Sequence, residues 1–548
     1  MVNLLDWCVI VIYLTLVIGI AVFINRRQKD TEDYYLGGRK IKWWQSGAST
    51  MATQLGAISF VSAPAFVAIK EGGGLKWLCY EFGLPLALIP VMAVIIPVLH
   101  RHHYVSIYEY LEKRFDGGTR SLVSLLFQFG RGLATAVAVL AGGLVLSTAL
   151  SISTPAAIIL VGLITVIYDA LGGIKVVILS DFLQMAIIIC GILICGGVAL
   201  SVVGWEGAFN GLSPDRFDIL DFRHWGFSPE GEYAFWPMLI GGIFLYMSYY
   251  GTDQSQVQRE LSVGNVDDVR KSLMVNALGR FPLVLSYCLM GIFIGAIFSS
   301  PEGFHRVGEI MGLSVDAARQ TLSSDPDRMV PMFILGYLPH GIIGFIFVAI
   351  MAALMSSLDS GLNSLSAVTM KDFYQRYIKL NAGERHYLIA SKIITFIWGI
   401  FCVSAALVFY YFGEATRQTT IVLINAVGSM LYGPILATFL LGMFTKKLNG
   451  QSVKIGIAVG IIVNFCLWIF TPVSWLWWNV TGFLTTALIA FLVILFRRII
   501  PENIPNTTLI RHVEERSEIN WNSRYMLVGM YFFFIVIFTY LIELWGTL

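Results

Sequence analysis

Hydroxyl and carboxylate side chains interrupt an apolar stretch in the second half of the chain. The segment AALMSSLDSGLNSLS, which follows MFILGYLPHGIIGFIFVAIM, carries five serines, Ser356, Ser357, Ser360, Ser364 and Ser366. Ala353 and the first three serines recur at spacings of three and four, so they share one stripe of a helix. Such a stripe suits close helix packing. Asp359 favours a functional site instead, because an unpaired carboxylate in a membrane is costly and neighbouring hydroxyl oxygens suit a hard cation.

Further polar residues lie in other apolar segments. Asp181, with Gln184 on the same predicted helix face, is either a second functional carboxylate or a helix-start residue at the membrane interface. Two acids, two arginines and two neutral residues form a scattered set: Ser59, Glu81, Arg131, Asp253, Arg280 and Asn425. Each alone is compatible with an interfacial or snorkelling position. Together they supply the groups that a small polar solute would need.

The elements that hold these residues are membrane helices. The 548 residues are 57% hydrophobic and 13% charged, and the mean hydropathy is +0.73. Apolar runs of about 20 residues can cross a bilayer as helices, and the sequence has about fourteen. They cover residues 4–24, 45–70, 73–98, 120–148, 153–171, 174–203, 234–256, 274–298, 329–363, 388–412, 416–443, 451–472, 474–497 and 524–546. The prediction is an all-α integral membrane protein.

Charge and composition narrow the class of protein. Arg and Lys are concentrated in the loops after the first, third, ninth and thirteenth runs, which predicts a multi-pass protein of the cell membrane with both termini outside the cytoplasm. The net charge of +2 does not indicate a nucleic-acid partner. His100, His102 and His103 lie in a basic loop without nearby cysteines, which favours solvated charge over a metal site.

Two runs carry helix-breaking residues at mid-length. The second contains Gly56 and Pro64 among Ser, Thr and Gln, and the seventh contains Gly251 before Thr252 and Asp253. Paired interrupted helices are typical of transporters with inverted repeats, whose freed backbone carbonyls bind ions and substrate. This interpretation makes the whole chain one transporter domain. Its predicted parts are a leading helix at 4–24, five-helix repeats at 45–203 and 234–443, and flanking helices at 451–548.

Six motifs in order resemble one known family over nearly the whole chain. They are DYYLGGRKIKWW, YEYLEKRFD, DALGGIKVVILSDFLQ, GTDQSQVQREL, AALMSSLDSGLNSLSAVTMKDFY and YGPILATFLLGMFTKK. The family is the sodium:solute symporters, which includes sodium/glucose cotransporters and bacterial proline and sialic acid symporters. The resemblance implies a leucine-transporter-like fold of five plus five inverted repeats with extra flanking helices.

The resemblance also implies roles for the polar residues. The common sodium site would use the carbonyls of Ala52, Leu55 and Ala353 with the hydroxyls of Ser356 and Ser357. A second sodium, which some members bind, would use Asp181, Asp359 and Ser360. Here Asp359 stands where a hydroxyl is expected, which either strengthens this second site or, with the acid protonated, abolishes it.

The implied substrate contacts are mixed in type. The positions used by the sugar transporters fall on Ser59, Glu81, Asp253, Arg280 and Asn425, and of these only Glu81 keeps the residue type. Arg131 resembles the arginine that holds the carboxylate in sialic-acid-type members, and a guanidinium suits bidentate carboxylate binding.

These observations lead to one functional prediction and several alternatives. The prediction is a sodium-coupled symporter, not an enzyme, that imports a sugar, polyol or sugar acid by alternating access, with sodium, the solute and membrane lipid as partners. An unrelated carboxylate, a vitamin or an amino acid is the alternative cargo. An uncoupled uniporter, a sensor and a membrane enzyme are remoter alternatives; the enzyme would need a nucleophile–base pair or a metal triad facing a cavity.

Overall fold

The chain folds into helices that pack side by side. The computed structural model describes residues 2–26, 28–150, 152–412, 420–497, 509, 517 and 519–546. The helices of the first half are α1 (Leu4–Asn25), α2 (Thr31–Leu36), α3 (Trp43–Thr53), α4 (Ala57–Ala68), α5 (Gly83–Pro90), α6 (Ile96–His100), α7 (Glu109–Arg114), α8 (Gly117–Leu150), α9 (Thr154–Asn210), α10 (Gly242–Thr252) and α11 (Gln254–Leu261). Those of the second half are α12 (Val266–Ser299), α13 (Pro301–Met311), α14 (Val315–Ser324), α15 (Met329–Tyr337), α16 (Ile342–Val368), α17 (Glu384–Phe412), α18 (Thr420–Phe444), α19 (Gly450–Phe470), α20 (Trp475–Arg497) and α21 (Trp521–Gly546).

The membrane-spanning helices agree with the predicted runs. Within the described ranges, ten helices are long and apolar enough to cross a bilayer, and the bent pair α3–α4 makes an eleventh span. Helix α9 is 57 residues long and leaves helical geometry at Gly173, which is where the sequence divides the fifth run from the sixth. The total becomes fourteen when α9 is counted as two spans and the α10–α11 pair and α18 are added. This number agrees with the roughly fourteen spans expected from the run lengths.

Gly173 is needed at that bend for two reasons. Its φ of 59° lies in the left-handed region that favours glycine. A Cβ at this position would also lie 2.5 Å from the carbonyl oxygen of Tyr34. The phenol of Tyr34 donates toward the carbonyl of Ala170 at 3.3 Å, so α2 is held against the bend.

The second span is broken as predicted, although not at both predicted breakers. Helices α3 and α4 meet at 54°, and the chain between them runs through Gln54, Leu55 and Gly56. Gly56 has extended backbone angles and begins α4. Pro64, in contrast, lies inside α4 and does not break it. The prediction that Pro64 interrupts the span is therefore wrong, because its missing N–H is accommodated within a buried helix.

The seventh span breaks two residues later than the sequence suggested. Gly251 is helical, and a Cβ there would lie 2.6 Å from Ile95 Cδ1, so glycine is required for close packing. The break falls at Asp253, whose backbone is extended and whose carboxylate accepts the N–H of Ser255 at 2.8 Å. A side-chain cap thus ends α10 and begins α11.

The predicted run 329–363 is two helices. Helix α15 ends at Tyr337, and α16 begins only after Gly341, whose φ is 88°. Helix α16 then continues past the predicted end, and a π-helix over Thr369–Ile378 extends it. Almost all of α16 is buried, and it packs against α1, α8 and α9. The serine-rich stretch therefore lies in the interior of the bundle.

The leading helix holds the start of α16. Asp6 of α1 is fully buried, and its Oδ1 accepts the N–H groups of Gly341 and Gly344 at 2.6 and 2.9 Å. A carboxylate on these free N–H groups complements the positive end of the helix dipole. Outside this core, α18, α19 and α20 pack together, which joins the flanking helices to the bundle.

Candidate functional site

The hydroxyls of Ser356 and Ser357 meet the broken helix. Ser356 Oγ donates toward the carbonyl oxygens of Ala52 and Ala353 at 3.3 and 3.2 Å. Ser357 Oγ lies 3.3 Å from the carbonyl oxygens of both Thr53 and Ala353. We call these five residues the serine site. It gathers three backbone carbonyls and two hydroxyls, one on the buried Ser356 and one on the half-buried Ser357, where α3 meets α16.

Local geometry explains why the carbonyls of α3 face α16. The last turn of a helix leaves carbonyl groups without intrahelical partners, and the break after Thr53 places such a turn in mid-span. Gly56 lets α16 approach closely, since a Cβ there would lie 3.3 Å from Ser357 Oγ. Of the predicted sodium ligands, Ala52, Ala353, Ser356 and Ser357 come together. Leu55 lies at the break, where its N–H donates to Ala52 O at 2.9 Å; ligation by its carbonyl stays a prediction.

The three residues predicted for a second sodium lie near a buried arginine. Arg259, on α11, is 1% exposed, and its Nη2 lies 3.1 Å from Asp181 Oδ2. The same Nη2 donates to Ser360 Oγ, and Nε donates to Ser49 Oγ at 2.7 Å. We call Ser49, Asp181, Arg259 and Ser360 the Arg259 cluster. Asp181 is therefore not an interfacial helix-start residue, since it is fully buried in the interior of α9.

Asp359 makes its closest hydrogen bond to a phenol. Its Oδ2 accepts a hydrogen bond of 2.6 Å from the hydroxyl of Tyr168, and its Oδ1 lies 3.2 Å from Ser360 Oγ. Asp359 and Tyr168 are both fully buried. The carboxylate thus joins α16 to α9 through a phenol and contacts the Arg259 cluster only through Ser360.

The predicted substrate residues form two acid–arginine pairs. In the first, Arg280 Nε lies 3.3 Å from Glu81 Oε2, and both side chains are buried. Among the described residues, the other carboxylate oxygen, Glu81 Oε1, and one of the two other guanidinium nitrogens, Arg280 Nη1, have no hydrogen-bond partner. A buried acceptor and a buried donor are therefore left unsatisfied beside each other, which native structures rarely tolerate.

The second pair is looser. Arg131 Nη1 lies 4.0 Å from Asp253 Oδ2, while Asp253 Oδ1 is held by the N–H and hydroxyl of Ser255 at 2.8 and 2.6 Å. The Arg131 guanidinium also lies 5.9 Å from the ring centre of Tyr249, a cation–π distance. The carboxylate of Asp253 therefore has a structural role as a helix cap as well as a charge opposite Arg131.

A chain of aromatic rings connects the two pairs. Tyr80, next to Glu81, has its ring centre 5.3 Å from that of Tyr246. The series continues through Tyr250 to Tyr249, whose ring lies beside Arg131. Ion pairs at two ends of an aromatic wall fit the general form of a ligand site, in which apolar surface carries a few placed polar groups.

Two predicted substrate residues are not brought into either pair. Ser59 lies in the first turn of α4, and its hydroxyl is 3.4 Å from Gln54 O. Gln54 itself donates to the hydroxyl of Tyr250, so Gln54 contacts the aromatic wall. Asn425 falls in the first part of α18, whose side chains lie outside the described part of the structure.

The structure is closed around the second pair. Arg131 and Asp253 line a cavity together with Tyr108, Thr252 and Tyr432, and its volume is about 30 Å³. On this measure about 10–15 Å³ holds one water molecule, so the cavity has room for about two. It is therefore too small, as it stands, for a sugar-sized solute.

Several residues of these sites were not among the predicted site residues. Arg259 and Ser49 are the most important, because they surround Asp181. Arg259 was visible in the quoted motif GTDQSQVQREL, yet the arginine could equally have been solvated at the end of a span. A buried carboxylate requires a partner, so Asp181 was the signal that could have prompted a search for this cation.

These features are typical of ion-coupled transporters: an all-helical membrane bundle in which a broken helix offers backbone carbonyls to a neighbouring stripe of hydroxyls. The sequence profile of the Sodium:solute symporter family matches residues 34–460. The chain belongs to this family, whose members are transporters and not enzymes, and it is a multi-pass membrane protein coupled to sodium.

Relatives in the family carry different cargoes. The sodium/glucose cotransporter of Vibrio parahaemolyticus is 28% identical over 493 residues, covering 86% of this chain and 86% of the relative. The human sodium/iodide cotransporter is 26% identical over 471 residues, covering 85% and 69%. Sequence similarity alone therefore leaves the cargo open.

Solved structures confirm the predicted fold class. A substrate-bound, outward-open Na⁺-coupled sialic acid symporter superposes with a TM-score of 0.75 at 24% identity, covering 90% of this chain and 98% of that one. The leucine-transporter-like protein MhsT, solved with L-phenylalanine, superposes with a TM-score of 0.51 at 16% identity, covering 83% and 99%. The boundaries of the two repeats within this chain stay a prediction.

Proposed function

We propose that this symporter takes up a sugar, polyol or sugar acid, with a sodium ion bound at the serine site. The observation that carries the choice of solute is the Glu81–Arg280 pair, which leaves one buried acceptor and one buried donor unsatisfied. The observation that supports the ion site is the convergence of carbonyl and hydroxyl oxygens on α3 and α16.

The serine site suits a small hard cation. Such ions take oxygen ligands, and the serine site offers five without any fixed positive charge among its members. The two serine hydroxyls now donate to the carbonyls of Ala52, Thr53 and Ala353. Rotation of each hydroxyl would turn its hydrogen away and leave all five oxygens facing the ion. Because the ligands come from both α3 and α16, sodium would hold these helices together.

The Glu81–Arg280 pair suits a hydroxyl group. A solute hydroxyl can donate to Glu81 Oε1 and accept from Arg280 Nη1, so one group satisfies both atoms. A carboxylate could accept from Arg280 but would leave Glu81 Oε1 unsatisfied and would place two negative groups together. Each unsatisfied buried group costs about 1–3 kcal/mol. This difference favours hydroxylated solutes at this end of the site.

The Arg131–Asp253 pair favours an acidic group at the other end. Within the described residues, Arg131 Nε has no hydrogen-bond partner, and the ion pair is long at 4.0 Å. Both features leave the guanidinium able to bind a carboxylate in bidentate fashion. A sugar acid would use both pairs, and this is why we include it beside neutral sugars and polyols.

Binding of sodium at the serine site would couple sodium entry to solute uptake. Sodium bound between α3 and α16 would favour the conformation in which the solute pocket is formed, and the loaded protein would then rearrange to release both cargoes. A membrane potential of ~100 mV contributes about 2.3 kcal/mol per charge. A tenfold sodium gradient adds ~1.4 kcal/mol. One ion could therefore sustain accumulation of a neutral solute by roughly several hundred-fold.

Thermal stabilisation of the purified protein by candidate solutes tests this proposal. Sugars, polyols, sugar acids, simple carboxylates, vitamins and amino acids are each added with sodium and with potassium. We expect stabilisation by a hydroxylated solute, in sodium only, and we expect Glu81→Gln to abolish it. Stabilisation by simple carboxylates that survives Glu81→Gln would refute the proposed solute class. Equal stabilisation in potassium would refute sodium coupling through solute binding.

A further inference from the structure

The Arg259 cluster places a permanent positive charge at the predicted second sodium site. The guanidinium is 1% exposed, donates from Nε to Ser49 Oγ at 2.7 Å, and approaches Asp181 Oδ2 to 3.1 Å through Nη2. It also donates to Ser360 Oγ and to the carbonyl of Ser255. Arginine stays protonated in proteins, so this charge is present throughout the transport cycle.

The oxygens that a second sodium would need are already engaged by the arginine. Ser49 Oγ accepts from Arg259 and donates its hydrogen to Asp181 Oδ2 at 2.5 Å. Ser360 Oγ accepts from the same guanidinium and donates to the carbonyl of Ser356 at 2.5 Å. Both hydroxyls thus point lone pairs at the arginine and hydrogens at other oxygens, which is how they would be arranged around a bound cation.

The two carboxylates predicted for the second sodium do not restore a free site. Asp181 Oδ2 pairs with Arg259, and only Oδ1 lacks a hydrogen-bond partner among the described residues. Asp359 stands where a hydroxyl is expected, and its carboxylate could either strengthen or abolish a second sodium site. Its Oδ2 accepts a hydrogen bond of 2.6 Å from Tyr168. These two carboxylates thus leave one free oxygen, Asp181 Oδ1, and one oxygen is too few ligands for a hard cation, which takes several at once.

We infer that Arg259 acts as a fixed internal cation in the place of a second sodium, so that the protein binds one sodium ion. This inference rests on the proposed function, since it takes the serine site as the place of the remaining ion. Arg259 also performs the structural task of an ion at that place, because its hydrogen bonds join α3, α9, α11 and α16.

The inference limits how far the transporter can concentrate its cargo. With ~100 mV and a tenfold sodium gradient, one ion supports accumulation of a neutral solute by roughly several hundred-fold. Two ions would support about 10⁵-fold under the same conditions. The fixed charge therefore predicts a carrier suited to solutes that are present outside at moderate concentrations.

Equilibrium binding of radioactive sodium alone to the purified full-length protein tests the inference. We expect one bound ion per protein, lost when Ser356→Ala and Ser357→Ala are combined. Two ions per protein would overturn the inference while leaving the proposed function intact. One ion that survives the double serine substitution but is lost in Asp181→Asn would overturn it as well. Absence of sodium binding would overturn the proposed function instead.

Substitutions of the arginine supply a matched comparison. Arg259→Lys keeps a cation beside Asp181, so the folded variant should still bind one sodium ion. Arg259→Gln removes the charge and leaves Asp181 and Ser360 free to accept an ion, so we expect a second bound sodium. A folded Arg259→Gln protein that still binds a single ion would show that the arginine does not stand in for sodium.

Discussion

Removing the two hydroxyls of the serine site is the most direct perturbation of the proposed ion site. Ser356 and Ser357 each contribute one oxygen, alongside the carbonyls of Ala52, Thr53 and Ala353. A polar contact to a charged group contributes about 1.5–3 kcal/mol. Because ~1.4 kcal/mol is a tenfold change in affinity, each Ser→Ala change should raise the half-saturating sodium concentration about 10- to 100-fold.

Thermal stability measured across a sodium titration reports this affinity without a known solute. A ligand that binds the folded state raises stability by an amount set by its concentration relative to its dissociation constant. We expect the sodium concentration for half-maximal stabilisation to rise in each single variant and to move out of reach in the double variant. The melting temperature without sodium should change little, since each substitution removes one atom.

Ser364→Ala is the matched control for this experiment. Ser364 lies on the same helix and is as buried as Ser356, but its hydroxyl donates within the helix, to Gly361 O at 2.8 Å. The sodium titration of Ser364→Ala should match that of the unmodified protein. If all three single variants behave alike, or if the double variant keeps its sodium response, the assignment of the serine site is refuted.

Two further predictions concern the packing that positions this site. Gly344→Ala should lower the melting temperature, because its Cβ would lie 2.6 Å from Asp6 Cα and such overpacking costs about 1–3 kcal/mol. Gly529→Ala is the control and should leave the melting temperature unchanged, because no packing neighbour lies within 4 Å of the new Cβ. Equal effects of the two substitutions would contradict the close packing of α1 on α16. Asp372→Asn should destabilise by about 3 kcal/mol, because Arg120, 2.5 Å from a fully buried Asp372, would lose the buried one of its two acidic partners and keep only Glu112 at 2.7 Å. A melting temperature unchanged by Asp372→Asn would count against that buried ion pair.

Features that depend on composition and local sequence were predictable. Long apolar runs located the spans, because a bilayer imposes its thickness on every helix. The polar, glycine-containing stretch near Gly56 located the broken helix, and the spacing of Ser356 and Ser357 placed both hydroxyls on its partner. In each case a constraint within a few turns of helix decides the outcome, so one sequence contains the information.

Features decided by contacts between distant segments were not predictable from one sequence. The pairing of Asp181 with Arg259 joins residues 78 positions apart. Pro64 is tolerated inside α4, and Asp253 rather than Gly251 marks the break in the seventh span, because side-chain capping and packing outweigh local helix preference. The division at residues 338–341 follows from the Asp6 carboxylate, which caps the start of α16 from another helix.

Solute accumulation in sealed vesicles tests the central claim, that sodium drives uptake through this protein. Purified protein is reconstituted, and accumulation of the solute found by thermal stabilisation is measured under an inward gradient of sodium, potassium or choline. The account predicts accumulation above the external concentration with sodium only, and its collapse when the sodium gradient is dissipated by an ionophore. Equal uptake under all three cations, stopping at the external concentration, would contradict coupling and identify an uncoupled carrier.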